Sequence, residues 1–135
     1  MQIYVRQQTA DLLRRLADRV SRVARSQDPE AIHDLRTAIR RLSRCLRVFS
    51  GFYPGKSWKK IRVRLRDLMH SAGTVRDLDI AMDLVREAGM DAQSPLLVEL
   101  RNERQEASRQ LLYEIRLWKN RGFSKKWRTN LHLNA

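Results

Sequence analysis

The sequence predicts an all-α protein, an antiparallel bundle of four to five amphipathic helices. Three observations carry this. Apolar residues recur at spacings of three, four and seven along most of the chain, the period of a helix with one buried face. Only five Gly and three Pro occur among 135 residues, and each stands where a helix would end or begin. The connections between periodic stretches are short, which makes consecutive helices antiparallel neighbours. At 16.0 kDa the chain fits one domain.

Taken in order, Val5, Leu12, Leu16, Val20 and Val23 form the stripe of a helix over about 3–26. Asp28-Pro29-Glu30 then offers an N-cap, a proline at the first helical position and an acid in the first turn. The second helix runs from Pro29 to about Phe52 with Ile32, Leu35, Ile39, Leu42, Leu46 and Phe49 inward, and Gly51 to Gly55 closes it. Ile61 to Arg66 alternates with period two, as a strand would, but a lone strand has nothing to pair with. A wider window restores the helical stripe Trp58, Ile61, Leu65, Leu68, Met69 and Ala72, giving a helix over 58–72 that Gly73 caps. Thr74 to Asp77 reads as a capping-box variant opening a helix over about 75–88, which Gly89 ends. Ser94-Pro95 starts a last long helix, with Leu97, Leu100, Ala107, Leu111 and Trp118 inward, that Gly122 stops near Arg121. Residues 1–121 are thus expected to form the bundle and 122–135 a basic C-terminal tail.

Charge is the loudest compositional signal. The chain has 28 Lys+Arg against 15 Asp+Glu, a net +13, and 22 of the cations are Arg. A surplus of this size stores self-repulsion that a polyanionic partner relieves. The excess is spread over several elements, with one acidic segment at 74–92 carrying −3. A single cysteine, Cys45, excludes an internal disulfide and reads as an inert buried thiol. No apolar run is long enough to span a membrane, and Arg6 interrupts the N-terminus too early for a secretory signal. A cytoplasmic location is the expectation.

Wound at 100° per residue, His33, Arg36, Arg40, Arg44 and Arg47 fall within about 80° of each other, beside the apolar face of the second helix. At 1.5 Å per residue that stripe is about 21 Å long. Lys59, Arg62, Arg66 and His70 repeat the pattern on the third segment, with Lys60 and Arg64 next to them. Two such helices side by side would line a groove with positive charge. The alternative is that both stripes are solvated faces paired with Asp34, Asp67 and the acids of the fourth segment.

The string His33-Asp34-Leu35-Arg36-Thr37-Ala38-Ile39-Arg40-Arg41-Leu42, followed by Arg47 and Phe49, resembles the signature of CHAD domains, the conserved histidine α-helical domain family. Leu65 through Gly73 and then Val75-Arg76-Asp77-Leu78-Asp79-Ile80 resemble that family's second block. The resemblance covers about residues 28–85. It implies an all-helical fold, a basic central groove and binding of inorganic polyphosphate without catalysis by the domain. Carried over by position, the phosphate-facing residues would be His33, Arg36, Arg40, Arg41 and Arg47, with Arg62, Arg66 and Arg76 as additions. The family usually has Arg where Ser43 stands, and Arg44 is placed to compensate. It is usually built of two helical halves where this chain holds one, which leads to the expectation of a homodimer whose contact uses Trp118, Phe123 and Trp127.

His33 lacks the neighbours of a metal ligand, His70 and His132 being the only other histidines, and lacks a nucleophile to serve as base. A phosphate-contacting imidazole and a structural hydrogen-bonded histidine both remain open. Asp77 and Asp79 read as helix-capping or salt-bridging acids, the bridges running to the basic stripe. No glycine-rich phosphate loop or ligand cluster is present, so neither enzyme activity, a cofactor nor a metal is expected. The site expected is therefore His33, Arg36, Arg40, Arg41, Arg44, Arg47, Lys59, Arg62, Arg66, His70 and Arg76, facing polyphosphate or another polyanion. Nucleic acid is the alternative partner, though neither stripe carries an aromatic for base stacking and no helix-turn-helix or other reading motif stands out. A non-catalytic interaction or regulatory subunit is the third reading.

Overall fold

A computed structural model of the chain describes residues 2–134. Its elements are α1 (Ile3–Arg25), α2 (Pro29–Val48), a 3-10 turn at Ser50–Phe52, α3 (Ser57–Glu87), α4 (Pro95–Asn120) and α5 (Phe123–Asn130). Helices α1 to α4 pack as sequential neighbours, and α5 lies against α1 and α4. The fold is an all-α bundle.

Local chemistry accounts for most boundaries. Asp28 caps α2, its Oδ1 accepting from the Ala31 amide at 2.8 Å, and this bond holds its carboxyl below the usual range. Ser94 caps α4 by accepting from the Leu97 amide at 3.2 Å. Gly89 and Gly122 end α3 and α4 in left-handed conformations, at φ 83° and 63°. The core joins Leu13, Leu16 and Val20 of α1 to Leu35, Ile39 and Leu42 of α2, Leu65 and Leu68 of α3, and Leu111 and Ile115 of α4.

Four expectations are corrected. Gly73 does not cap a helix: α3 runs through it without a break, and its φ is not left-handed. A mid-helix glycine costs about 1 kcal/mol relative to alanine. Burial of Leu68, Ala72 and Val75 on both sides outweighs that, since one fully buried leucine is worth about 1.5–3 kcal/mol. Thr74 correspondingly donates back to the His70 carbonyl at 3.2 Å and caps nothing.

Of the segment expected as a tail, residues 122–134 are not one, and Ala135 lies outside the described residues. Phe123, Trp127, Leu131 and Leu133 belong to the same hydrophobic core as the other helices. The third correction follows: Trp118, Phe123 and Trp127 pack on one another with centroids 5.0 to 5.2 Å apart, so this trio is used inside the protomer. α2 also stops at Val48, short of Phe52, and the 3-10 turn takes over.

Length differences between helices shape the molecule. At 1.5 Å per residue, the 31-residue α3 is about 46 Å long and the 20-residue α2 about 30 Å. The α1–α2 connection touches α4 near Arg104 and Ser108, where Gln27 meets both. Beyond that level the end of α3 and the start of α4 project as a hairpin, with Ile80, Leu84, Met90, Leu96 and Val98 exposed.

Candidate anion-binding groove

The seam between α2 and α3 opens into a groove of about 480 Å³. Arg40 and Arg44 stand on its α2 wall, and Lys59, Arg62 and Arg66 on its α3 wall. Ile39, Trp58, Val63, Leu65 and Met69 supply apolar floor and rim. The residue spacing explains this. Arg40, Arg44, Arg62 and Arg66 each lie one position round the helix from a buried residue, so they emerge at the edge of the core, while Lys59 follows the half-buried Trp58.

Across the groove, Arg62 Nε donates to Ser43 Oγ at 3.2 Å. Ser43 therefore occupies the family's arginine position as an acceptor that steadies a cation from α3. Lys59 Nζ sits 5.6 Å from the Trp58 ring centroid, within reach of a cation–π contact. Trp58 thus puts an aromatic on the groove wall, correcting the expectation that neither stripe offers one.

Among the described residues, none of the acids that could neutralise the stripes pairs with them. Asp34 accepts from Arg22 of α1 at 2.7 Å, and buried Asp79 accepts from Arg104 of α4 at 3.0 Å. Asp77 shares a shallow cavity with Glu103 and Glu106, away from the groove. Among the described residues, no ion pair involves Arg36, Arg40, Arg41, Arg44, Arg47, Lys59, Arg62, Arg66 or Arg76. Among the described residues the Nε of Arg36 is buried with no hydrogen-bond partner, a costly state for a charged donor. The alternative of stripes paired with Asp34, Asp67 and the fourth-segment acids finds no ion pair among the described residues.

The remaining expected residues are spread around the groove. Arg36 and His33 continue the α2 stripe toward its N-terminus, and Arg47 toward its C-terminus. His70 is exposed one position beyond Met69, and Arg76 is half-buried six residues further along α3. Arg41 is exposed about 100° round α2 from Arg40, outside the lining. Among the described residues there is no His, Cys, Asp and Glu group able to hold a metal ion. None of the helices among them is long and apolar enough to cross a membrane.

A second cationic cavity, about 420 Å³, lies on the other side of α3. Lys60, Arg64, Arg121 and Lys126 ring it over Trp118, Phe123 and Trp127. The sequence does not disclose it, because the expectation of a tail over 122–135 leaves Lys126, which α5 brings, unplaced. The four-residue spacing of Phe123, Trp127 and Leu131 was the available signal.

Residues 7–134 match the family model described as the CHAD domain. No curated protein and no solved structure matches the chain.

Proposed function

We propose that this chain, which belongs to the CHAD domain family, is a non-catalytic module that binds inorganic polyphosphate along the α2–α3 groove. One observation carries the reading: the groove brings Arg40, Arg44, Lys59, Arg62 and Arg66 together, and none of them has a carboxylate partner among the described residues. Clustered like charges without neutralising acids destabilise a fold, and a linear polyanion removes that penalty. Guanidinium forks suit phosphate oxygens bidentately, and Lys59 adds a point charge. The apolar floor at Ile39, Leu65 and Met69 keeps water off one side of the bound chain, which strengthens each contact. Binding then proceeds by release of counterions from the polymer, so affinity falls steeply with salt.

Single-stranded nucleic acid is the second reading, favoured by Trp58 on the groove wall, since base stacking needs such a ring. The test is competition between polyphosphate and single-stranded DNA for the full chain at several salt concentrations. Polyphosphate displacing DNA at equal phosphate concentration supports the first reading. DNA resisting displacement, with affinity lost in a Trp58→Ala variant, overturns it in favour of the second.

A further inference from the structure

A stripe of α3 that begins on the groove wall changes sign along its length. At 100° per residue, Lys59, Arg62, Arg66, Gly73, Asp77, Ile80 and Leu84 lie within about 60° of one another, with Glu87 beside them. The N-terminal half of the stripe is cationic. The other half combines the acids Asp77 and Glu87 with Ile80 and Leu84, which are 41% and 61% exposed. Apolar side chains this exposed on a projecting hairpin suit an interface. Asp77 and Glu103 have no ion-pair partner among the described residues.

Gly73 is the midpoint of this pattern. Lys59 and Glu87 stand fourteen residues either side of it, Arg62 and Leu84 eleven, Arg66 and Ile80 seven. Nothing inside the protomer requires glycine there: φ is not left-handed, and an added Cβ would meet no atom within 4 Å. A half-buried glycine whose missing Cβ faces open space is what lets a second helix approach closely.

We propose that α3 is a self-association surface, on which a second copy of this chain docks antiparallel about a twofold axis at Gly73. In that register Lys59 of each copy opposes Glu87 of the other, so one self-complementary patch closes the assembly. The stems of Arg62 and Arg66 lie along Leu84 and Ile80, and their guanidinium groups reach the flanking acids. The net +13 of each chain opposes association, but at physiological ionic strength charges more than about 8 Å apart are screened while the contact pairs are not. This proposal does not rest on the polyphosphate reading.

Sedimentation equilibrium of the full chain at moderate salt, without polyanion, tests it. The wild type is expected as a reversible dimer. Lys59→Glu and Glu87→Lys each turn two attractive pairs into two repulsive ones, weakening the dimer by about tenfold or more. The Lys59→Glu/Glu87→Lys double variant restores it, and an equimolar mixture of the two single variants forms the heterodimer, which also shows that both singles fold. Gly73→Leu, whose Cβ meets open space in the protomer, prevents dimerisation without loss of helical signal. A wild type that stays monomeric at every concentration overturns the proposal, as does a double variant as weak as the singles.

Discussion

Arg104 of α4 donates through Nε to the buried carboxylate of Asp79 on α3 at 3.0 Å. Its terminal nitrogen donates to the Gln27 carbonyl at 2.5 Å, so one guanidinium ties α3, α4 and the α1–α2 connection together. It also takes from the basic groove an acid that sequence spacing had assigned to it.

Removing one partner of such a pair leaves a charge buried without compensation. Asp79→Ala is therefore expected to destabilise the fold by about 3–5 kcal/mol in urea unfolding. Replacing both partners, as in Asp79→Leu/Arg104→Met, costs less than the single change. A loss under about 1 kcal/mol for Asp79→Ala would show that the junction holds without the ion pair.

The two groove walls make a quantitative prediction for binding. Arg40→Ala and Arg66→Ala should each lower the slope of log affinity against log salt by about one unit for polyphosphate, measured calorimetrically. Arg41→Ala should change it less, because Arg41 points away from the groove although the family signature includes it. An Arg41 effect equal to that of Arg40 would move the site around α2.

Tyr53 sets an alkaline limit on stability. Thr9 Oγ1 donates to the Val5 carbonyl at 2.7 Å, so the Tyr53 hydroxyl, 2.6 Å away, donates to Thr9. Burial pushes the Tyr53 hydroxyl well above its usual range, with Cys45 adding in the same direction. A tyrosine held neutral in the fold but free to ionise when unfolded contributes stability that is complete below pH about 10 and is lost as pH rises further. Thermal melts should show the midpoint falling above that pH, and Tyr53→Phe should flatten the fall while costing about 1 kcal/mol at neutral pH. An unchanged alkaline fall in Tyr53→Phe would assign it to other groups.

Gly73→Ala separates protomer stability from association. The new methyl meets open space, so the helix gains about 0.5–1 kcal/mol from propensity, read at a salt concentration that dissociates the dimer. The same change should weaken the dimer.

Polyphosphate and the second copy claim the same cations, Lys59, Arg62 and Arg66. Titrating polyphosphate into the dimer should therefore release monomers, because a ligand that binds only the open groove draws the equilibrium toward it. A dimer strengthened by polyphosphate would place the polymer between two grooves instead.

What the sequence disclosed depended on how local each cause was. α2 was legible because its cap, proline and six inward residues all lie within 22 positions, and Ile32, Leu35, Ile39, Leu42 and Leu46 are indeed buried. The continuity of α3 was not, because glycine's cost is local while the burial of Leu68 and Val75 that overrides it depends on α2 and α4. α5 was hidden by its brevity, eight residues being too few to establish a period. In the groove, the stripes were readable as angles on a helix. That Asp34 and Asp79 turn to Arg22 and Arg104 depends on distances between helices, which spacing along the chain does not contain.

The three indoles divide into two optical populations. Trp58 stands alone on the groove wall, whereas the Trp118 and Trp127 rings meet edge to face, with centroids 5.1 Å apart. Chromophores that close and that fixed couple their excited states, so near-ultraviolet circular dichroism monitors the seating of α5 through that pair. Emission from Trp58 answers to whatever enters the groove. Docking of the C-terminal helix and occupation of the groove are thus separable signals in one unlabelled chain.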